Sequence, residues 1–165
     1  MLNWRKYIIL FLLKISGQKS YDYFKEIKNT DKLSNKEKRN LKNEKLKKIL
    51  IYSYKNITYY KNILEKYELV NEKLEVNLEN FKNLPITNKE ILRKEFDNLQ
   101  DKSKNNRKTF ENTSGGSTGE PVKFIQDNVL QDWKVATKFY FMTFLNKDIG
   151  EKELRLWGSE RDLLV

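Results

Sequence analysis

The 165-residue chain contains no cysteine and no histidine. That excludes a disulfide framework, a thiol nucleophile, zinc held by its usual sulfur and imidazole ligands, and every catalytic pair in which histidine activates a serine or cysteine. Any chemistry must come from carboxylates, amines, hydroxyls or backbone amides. The lack of cysteine fits a reducing compartment. Long apolar runs are missing too: Tyr7 to Leu13 (YIILFLL) is far short of the roughly 20 residues a bilayer-spanning helix needs. A charged start with an apolar run behind it suits a signal peptide. The next residues, however, are Lys14-Ile15-Ser16-Gly17-Gln18-Lys19, without a small-x-small cleavage pattern. A cytoplasmic chain is expected.

What is present is charge and aromatic rings. With 34% charged and 38% hydrophobic residues the composition leans towards disorder, yet 9 Phe, 9 Tyr and 3 Trp supply large rings that disordered chains lack. A folded domain with a lysine-rich surface is expected. The net charge of +10 lies almost wholly in the front half, where residues 1–84 hold 19 basic and 10 acidic side chains against 14 and 13 in residues 85–165. There it coincides with the apolar run, flanked by Arg5, Lys6 and Lys14. Two readings of residues 1–20 stay open. One is a helix packed on the rest of the protein; the other is an in-plane helix making peripheral membrane contact, with Trp4 and Tyr7 at the interface and basic side chains facing anionic lipid.

Residues 1–33 thus form a basic, apolar N-terminal helix region, and residues 34–97 a helical segment. Leu41, Leu46, Ile49, Leu50, Ser53, Ile57, Tyr60 and Leu64 recur at spacings of three and four, one broad stripe. Lysines cover most of the other face, which is a solvated surface, and no nucleic-acid motif accompanies them, so no nucleic-acid partner is expected. Leu69 to Leu84 reads as an irregular connection. Thr87-Asn88-Lys89-Glu90 has capping-box spacing and predicts a short helix over 88–97. Asp101 to Lys108 reads as an exposed polar loop. Asn128 to Leu145 is predicted helical, its core face formed by Leu130, Trp133, Ala136, Thr137, Tyr140, Phe141 and Phe144. Glu153 to Gly158 reads as a buried strand.

The most informative stretch is Asn112 to Asp127, NTSGGSTGEPVKFIQD. Thr113 to Gly119 contains only Thr, Ser and Gly, so its amides are open and its hydroxyls numerous. Successive amides in a turn form a positively polarised nest that suits phosphate oxygens. The alternative is a flexible Ser/Gly linker. Beyond it, Val122, Phe124 and Gln126 alternate with Lys123 and Ile125 as a strand would, and Lys108 to Asn112 could supply its partner. Neither Gly-Lys-Ser/Thr nor a GxGxxG turn is present. The loop therefore joins two strands of a hairpin, with no helix dipole behind it. Its three glycines predict disorder in the isolated chain and only weak nucleotide binding.

Thr113 to Pro121, TSGGSTGEP, resembles the phosphate-binding signature of the AMP-forming, adenylate-forming ligase superfamily, in the variant of phenylacetate-CoA ligase-like and CapK-type capsular polysaccharide biosynthesis proteins. Lys45 to Leu64 is similar to that family's early helix with paired aromatics, and Leu84 to Arg93 (LPITNKEILR) to its Leu-Pro-x-Thr-x-Lys segment. The resemblance covers roughly residues 40 to 165. It implies a mixed α/β (α+β) fold in which N-terminal helices lead into the large nucleotide-binding domain, begun over residues 98–165 as an incomplete sheet. It implies ATP with magnesium as cofactor, a carboxylic acid substrate, and phosphate contacts from Thr113, Ser114, Gly115, Gly116, Ser117, Thr118 and Gly119. Lys123 stands one place beyond the lysine of the common superfamily pattern. The family's ribose-binding aspartate, hinge and small C-terminal domain are not found before Val165, so an N-terminal fragment, inactive alone, is expected, with no catalytic residue assignable.

Overall fold

The computed structural model describes residues 3–103, 107–114 and 121–153. Among them six α-helices, one 3-10 helix and two strands succeed one another: α1 (Trp4–Ile15), α2 (Ser20–Asp31), α3 (Asn35–Asn56), α4 (Thr58–Lys66), the 3-10 helix (Leu78–Asn83), α5 (Lys89–Lys94), β1 (Thr109–Thr113), β2 (Lys123–Asp127) and α6 (Asn128–Phe144). The fold is a mixture of helices with a small two-stranded antiparallel sheet. It divides into two compact units, one of residues 1–28 and 132–165, the other of residues 29–131.

In the second unit, α3 opens on a full capping box. Ser34 Oγ accepts from Glu37 N–H at 3.3 Å, and Glu37 accepts in return from Ser34 N–H at 2.8 Å. The Ser34 hydroxyl and amide together hold the Glu37 carboxyl below its ordinary value. The stripe from Leu41 to Leu64 is not one helix. It breaks at Ile57, whose extended backbone (φ −126°) ends α3 and starts α4. The adjacent β-branched Ile57 and Thr58 lose side-chain freedom in a helix, which favours a break there. The break lets Leu64 fold back on Leu50 and Tyr54, and with Leu69 and Val70 these form the core; Leu46, Tyr60, Leu74, Val76, Leu78 and Leu84 pack around it. The Tyr54 hydroxyl donates to the Glu65 carboxylate. That bond, together with desolvation, pushes the Tyr54 phenol up to about 12.

The segment from Leu69 to Leu84 is more regular than its sequence predicts, because it carries a Val70–Val76 bridge and the 3-10 helix. The first residue of α5 is Lys89, and its cap is Asn88, whose side chain accepts from Ile91 N–H at 2.9 Å. The predicted Thr87–Glu90 box is thus replaced by an asparagine one position later, and the helix stops at Lys94.

Helix ends show where glycine is scarce. The chain has six glycines, three of them between Thr113 and Pro121. Helices α1, α4 and α6 each end with a left-handed residue and the paired backbone bonds of a Schellman turn. Only α1 uses glycine, Gly17 (φ 70°); α4 uses Glu68 (φ 53°) and α6 uses Asn146 (φ 53°). At α4 the turn is closed by Leu69 N–H to Leu64 O at 2.8 Å and Glu68 N–H to Glu65 O at 2.9 Å, which sets Leu69 against Leu64 in the core.

In the first unit, α1 is tied to the segment after α6. Asn3 Nδ2 donates to Ile149 O at 2.7 Å and Lys6 Nζ pairs with Asp148 at 2.9 Å. Gly150 (φ 87°) sits so close to α1 that a Cβ there would stand 2.9 Å from Lys6 N and 3.0 Å from Arg5 Cβ. Tyr23 stacks on Trp133 at 4.3 Å, and Phe24 meets Phe139 edge-on at 6.1 Å. The buried line of α6 runs through Asp132, Ala136 and Met142. Of the residues predicted to form its core face, Ala136 is buried, while Phe141 and Phe144 are 62% and 66% exposed and Leu130 is exposed too. The rotation reflects the polar contact of Asp132: its carboxylate accepts from Ser20 Oγ at 2.8 Å and Lys19 N–H at 3.1 Å, which holds that face inward.

Candidate phosphate-binding hairpin

β1 and β2 pair antiparallel in the register Thr109–Asp127, Phe110–Gln126, Glu111–Ile125, Asn112–Phe124 and Thr113–Lys123. The alternation read from the sequence holds, since Val122 is buried, Phe124 and Gln126 are half-buried, and Lys123 and Ile125 are exposed. At the tip the ladder extends one step further: Ser114 N–H donates to Val122 O at 2.9 Å, and Val122 N–H donates to Ser114 Oγ at 3.0 Å. The hairpin is therefore closed by paired hydrogen bonds as far as Ser114 and Val122.

Of the seven residues expected to line phosphates, Thr113 and Ser114 are described; Gly115, Gly116, Ser117, Thr118 and Gly119 lie outside the described residues. The glycine content predicts disorder across Thr113 to Gly119. Thr113 instead belongs to β1, and Ser114 is held by two hydrogen bonds. Both their amides are committed, Thr113 N–H to Asn112 Oδ1 at 2.8 Å and Ser114 N–H to Val122 O. What Ser114 retains for an anion is the hydroxyl proton, because its oxygen accepts from Val122. Lys123 pairs with Glu111 across the ladder at 3.1 Å and is exposed, so its charge is directed along the sheet face.

The base of the hairpin carries an ion-pair cluster that the sequence did not announce. Arg107, just before β1, reaches Asp127 through Nη1 at 2.7 Å; through Nη2 it contacts Asp101 and the Tyr52 hydroxyl, the latter at 2.7 Å. Tyr52, on α3, donates to Asp101, whose other oxygen accepts from Ser103 N–H at 2.9 Å. Asp127 also caps α6, accepting from Leu130 N–H at 2.8 Å. Residues 101 and 107, expected on an exposed polar loop, thus fix the hairpin to α3. Five residue steps from Asp127 to Val122, at about 3.4 Å each, put the closed end of the hairpin about 17 Å from this anchor. Among the described residues no group of three acidic side chains gathers that could hold a metal.

Partial burial opposes the charge on Asp101, but hydrogen bonds from Tyr52 and Ser103 and the Arg107 charge outweigh it and hold the carboxyl below its ordinary value. A lowered carboxyl contributes stability above the ordinary carboxylate range, near pH 4, and loses that contribution as pH falls below it. Replacing Arg107 with alanine should cost about 1–2 kcal/mol at neutral pH, less than full charge-assisted bonds because the site is partly solvated. The difference from wild type should shrink towards pH 3, as urea melts at both pH values would read.

No protein-family model, curated protein or solved structure matches the chain.

Proposed function

We propose that the chain supplies the phosphate-side part of an ATP-dependent, AMP-forming carboxylate ligase of the CapK type, acting in capsular or surface polysaccharide biosynthesis. In that reaction a substrate carboxylate oxygen bonds to the α-phosphorus of ATP while the bond from that phosphorus to the β-phosphate bridging oxygen breaks. An acyl-adenylate forms and pyrophosphate leaves. A loop of amides and hydroxyls that holds the departing phosphates favours the reaction by positioning and by stabilising charge, without a histidine base. The observation that carries the reading is the Thr-Ser-Gly stretch at the tip of an antiparallel hairpin, closed at Ser114 and Val122 and anchored at its other end by Arg107. A linker has no need of that mounting. The chain's own contribution is to bind phosphate through the Gly115 to Gly119 amides and the Ser114 hydroxyl.

Hydrogen exchange over residues 112–120 tests this. Mg-ATP near 10 mM, roughly tenfold above an expected millimolar dissociation constant worth about 4 kcal/mol, should slow exchange there, and Gly116→Asp should abolish the effect. Absence of protection, or equal protection in the variant, would contradict the proposal.

A further inference from the structure

We propose that α1 is a membrane-surface anchor that lays its outward face on an anionic bilayer. The helix is apolar on two sides. Ile9, Leu10 and Leu13 are half-buried towards the first unit, while Trp4, Tyr7, Ile8, Phe11, Leu12 and Ile15 are each between 48% and 66% exposed. Those exposed positions recur at spacings of three and four, so they form one continuous stripe along the helix. A contiguous apolar stripe of this size marks a contact surface rather than ordinary exposure. A shallow cleft of about 390 Å³, lined by Ile9, Leu12, Leu13 and Ile15, extends it at the C-terminal end of the helix.

Charge selects the occupant. Arg5 and Lys14 are exposed at the two ends of the stripe, and α1 contains no acidic residue. A second copy of the chain fits poorly. Antiparallel pairing of two stripes would set Arg5 against Lys14 of the other copy, parallel pairing would set each cation against its twin, and no carboxylate on α1 answers either. An anionic lipid surface answers both, with Trp4 and Tyr7 suited to the headgroup level. Twelve residues at 1.5 Å each span about 18 Å, against a hydrocarbon core of about 30 Å. The helix therefore lies in the plane, and no helix among the described residues is long and apolar enough to cross a membrane. The ties of Asn3 and Lys6 to Ile149 and Asp148 fix the stripe outward before any lipid is met.

Co-sedimentation of the full chain with phosphatidylcholine vesicles, with and without phosphatidylserine, tests the proposal. Binding should require the anionic lipid and weaken as salt shortens the screening length. Phe11→Ser combined with Leu12→Ser should reduce partitioning about tenfold or more with an unchanged far-ultraviolet spectrum, because both side chains face outward. Arg5→Gln with Lys14→Gln should weaken binding and flatten its salt dependence. Ile86→Ser, at a 92% exposed position in the other unit, should leave it unchanged. Equal binding to neutral vesicles, undiminished binding by the Phe11 and Leu12 variant, or a solution dimer that this variant dissolves would each overturn it.

Discussion

Leu69→Ala should destabilise the second unit by about 2–5 kcal/mol, the range for emptying a buried leucine site. Leu69 is wholly buried, and its partners Leu64 and Val70 are within 2% of complete burial, so there is little slack to close the cavity. The position also carries backbone structure: Leu69 N–H closes the α4 turn on Leu64 O, and Leu69 O accepts from Asn77 N–H at 2.9 Å. Those bonds survive in alanine, so the loss should be one of packing. Five buried residues make up this core, and a domain's total stability is about 5–15 kcal/mol. The variant should therefore lose most hydrogen-exchange protection in α3 and α4 at neutral pH. A loss below about 1 kcal/mol in urea melts would mean that Leu69 is not the packed centre described.

The second large effect is expected at Asp132. Its carboxylate sits beside the first residues of α2, where Lys19 offers no side-chain acceptor to cap the helix. Asp132, 113 positions away in sequence, supplies both an acceptor and a negative charge to the positive end of the helix dipole. Ser20 is fully buried, as Asp132 nearly is. Asp132→Ala should cost about 3 kcal/mol, since it removes two hydrogen bonds to a charged acceptor and leaves the Ser20 hydroxyl buried without one. Adding Ser20→Ala should recover about 1 kcal/mol or more of that loss, because it removes the buried hydroxyl left without an acceptor, and only the lost bond from Lys19 N–H remains. Additive losses from the two substitutions in chemical denaturation would show that the pair is not coupled.

Local chemistry was legible in the sequence. The alternation of Val122, Phe124 and Gln126 marked the strand, and with no Gly-Lys-Ser/Thr or GxGxxG pattern at the glycines it pointed to a hairpin in place of a strand-to-helix turn. Long-range polar contacts were not legible. Tyr52, Asp101, Arg107 and Asp127 come from three separate stretches, and Arg107 stands in a run that reads as solvated loop. One available signal was Asp127 directly before the α6 pattern, an N-cap placement that marks its carboxylate as structurally engaged. On α6 the rings at 141 and 144 look like core by hydrophobicity. A carboxylate and an alanine occupy the inward line because Asp132 meets Ser20 and Lys19. Hydrophobic spacing cannot weigh a contact made across more than a hundred residues. The break at Ile57 was hidden for a related reason, since the apolar spacing continues through it while the backbone does not.

On the proposed reading, the glycine-bearing segment between Ser114 and Pro121 binds phosphate. Backbone amide resonances of Gly115, Gly116 and Gly119, monitored during titration with Mg-ATP, inorganic triphosphate and adenosine, test it most directly. ATP and triphosphate should move these three resonances in the millimolar range, together with those of Ser117 and Thr118, while adenosine leaves them in place. If the shifts instead spread over the lysine-bearing surface of α3 with the loop glycines unmoved, the protein binds polyanions through its general positive charge, and the assignment of the loop is wrong.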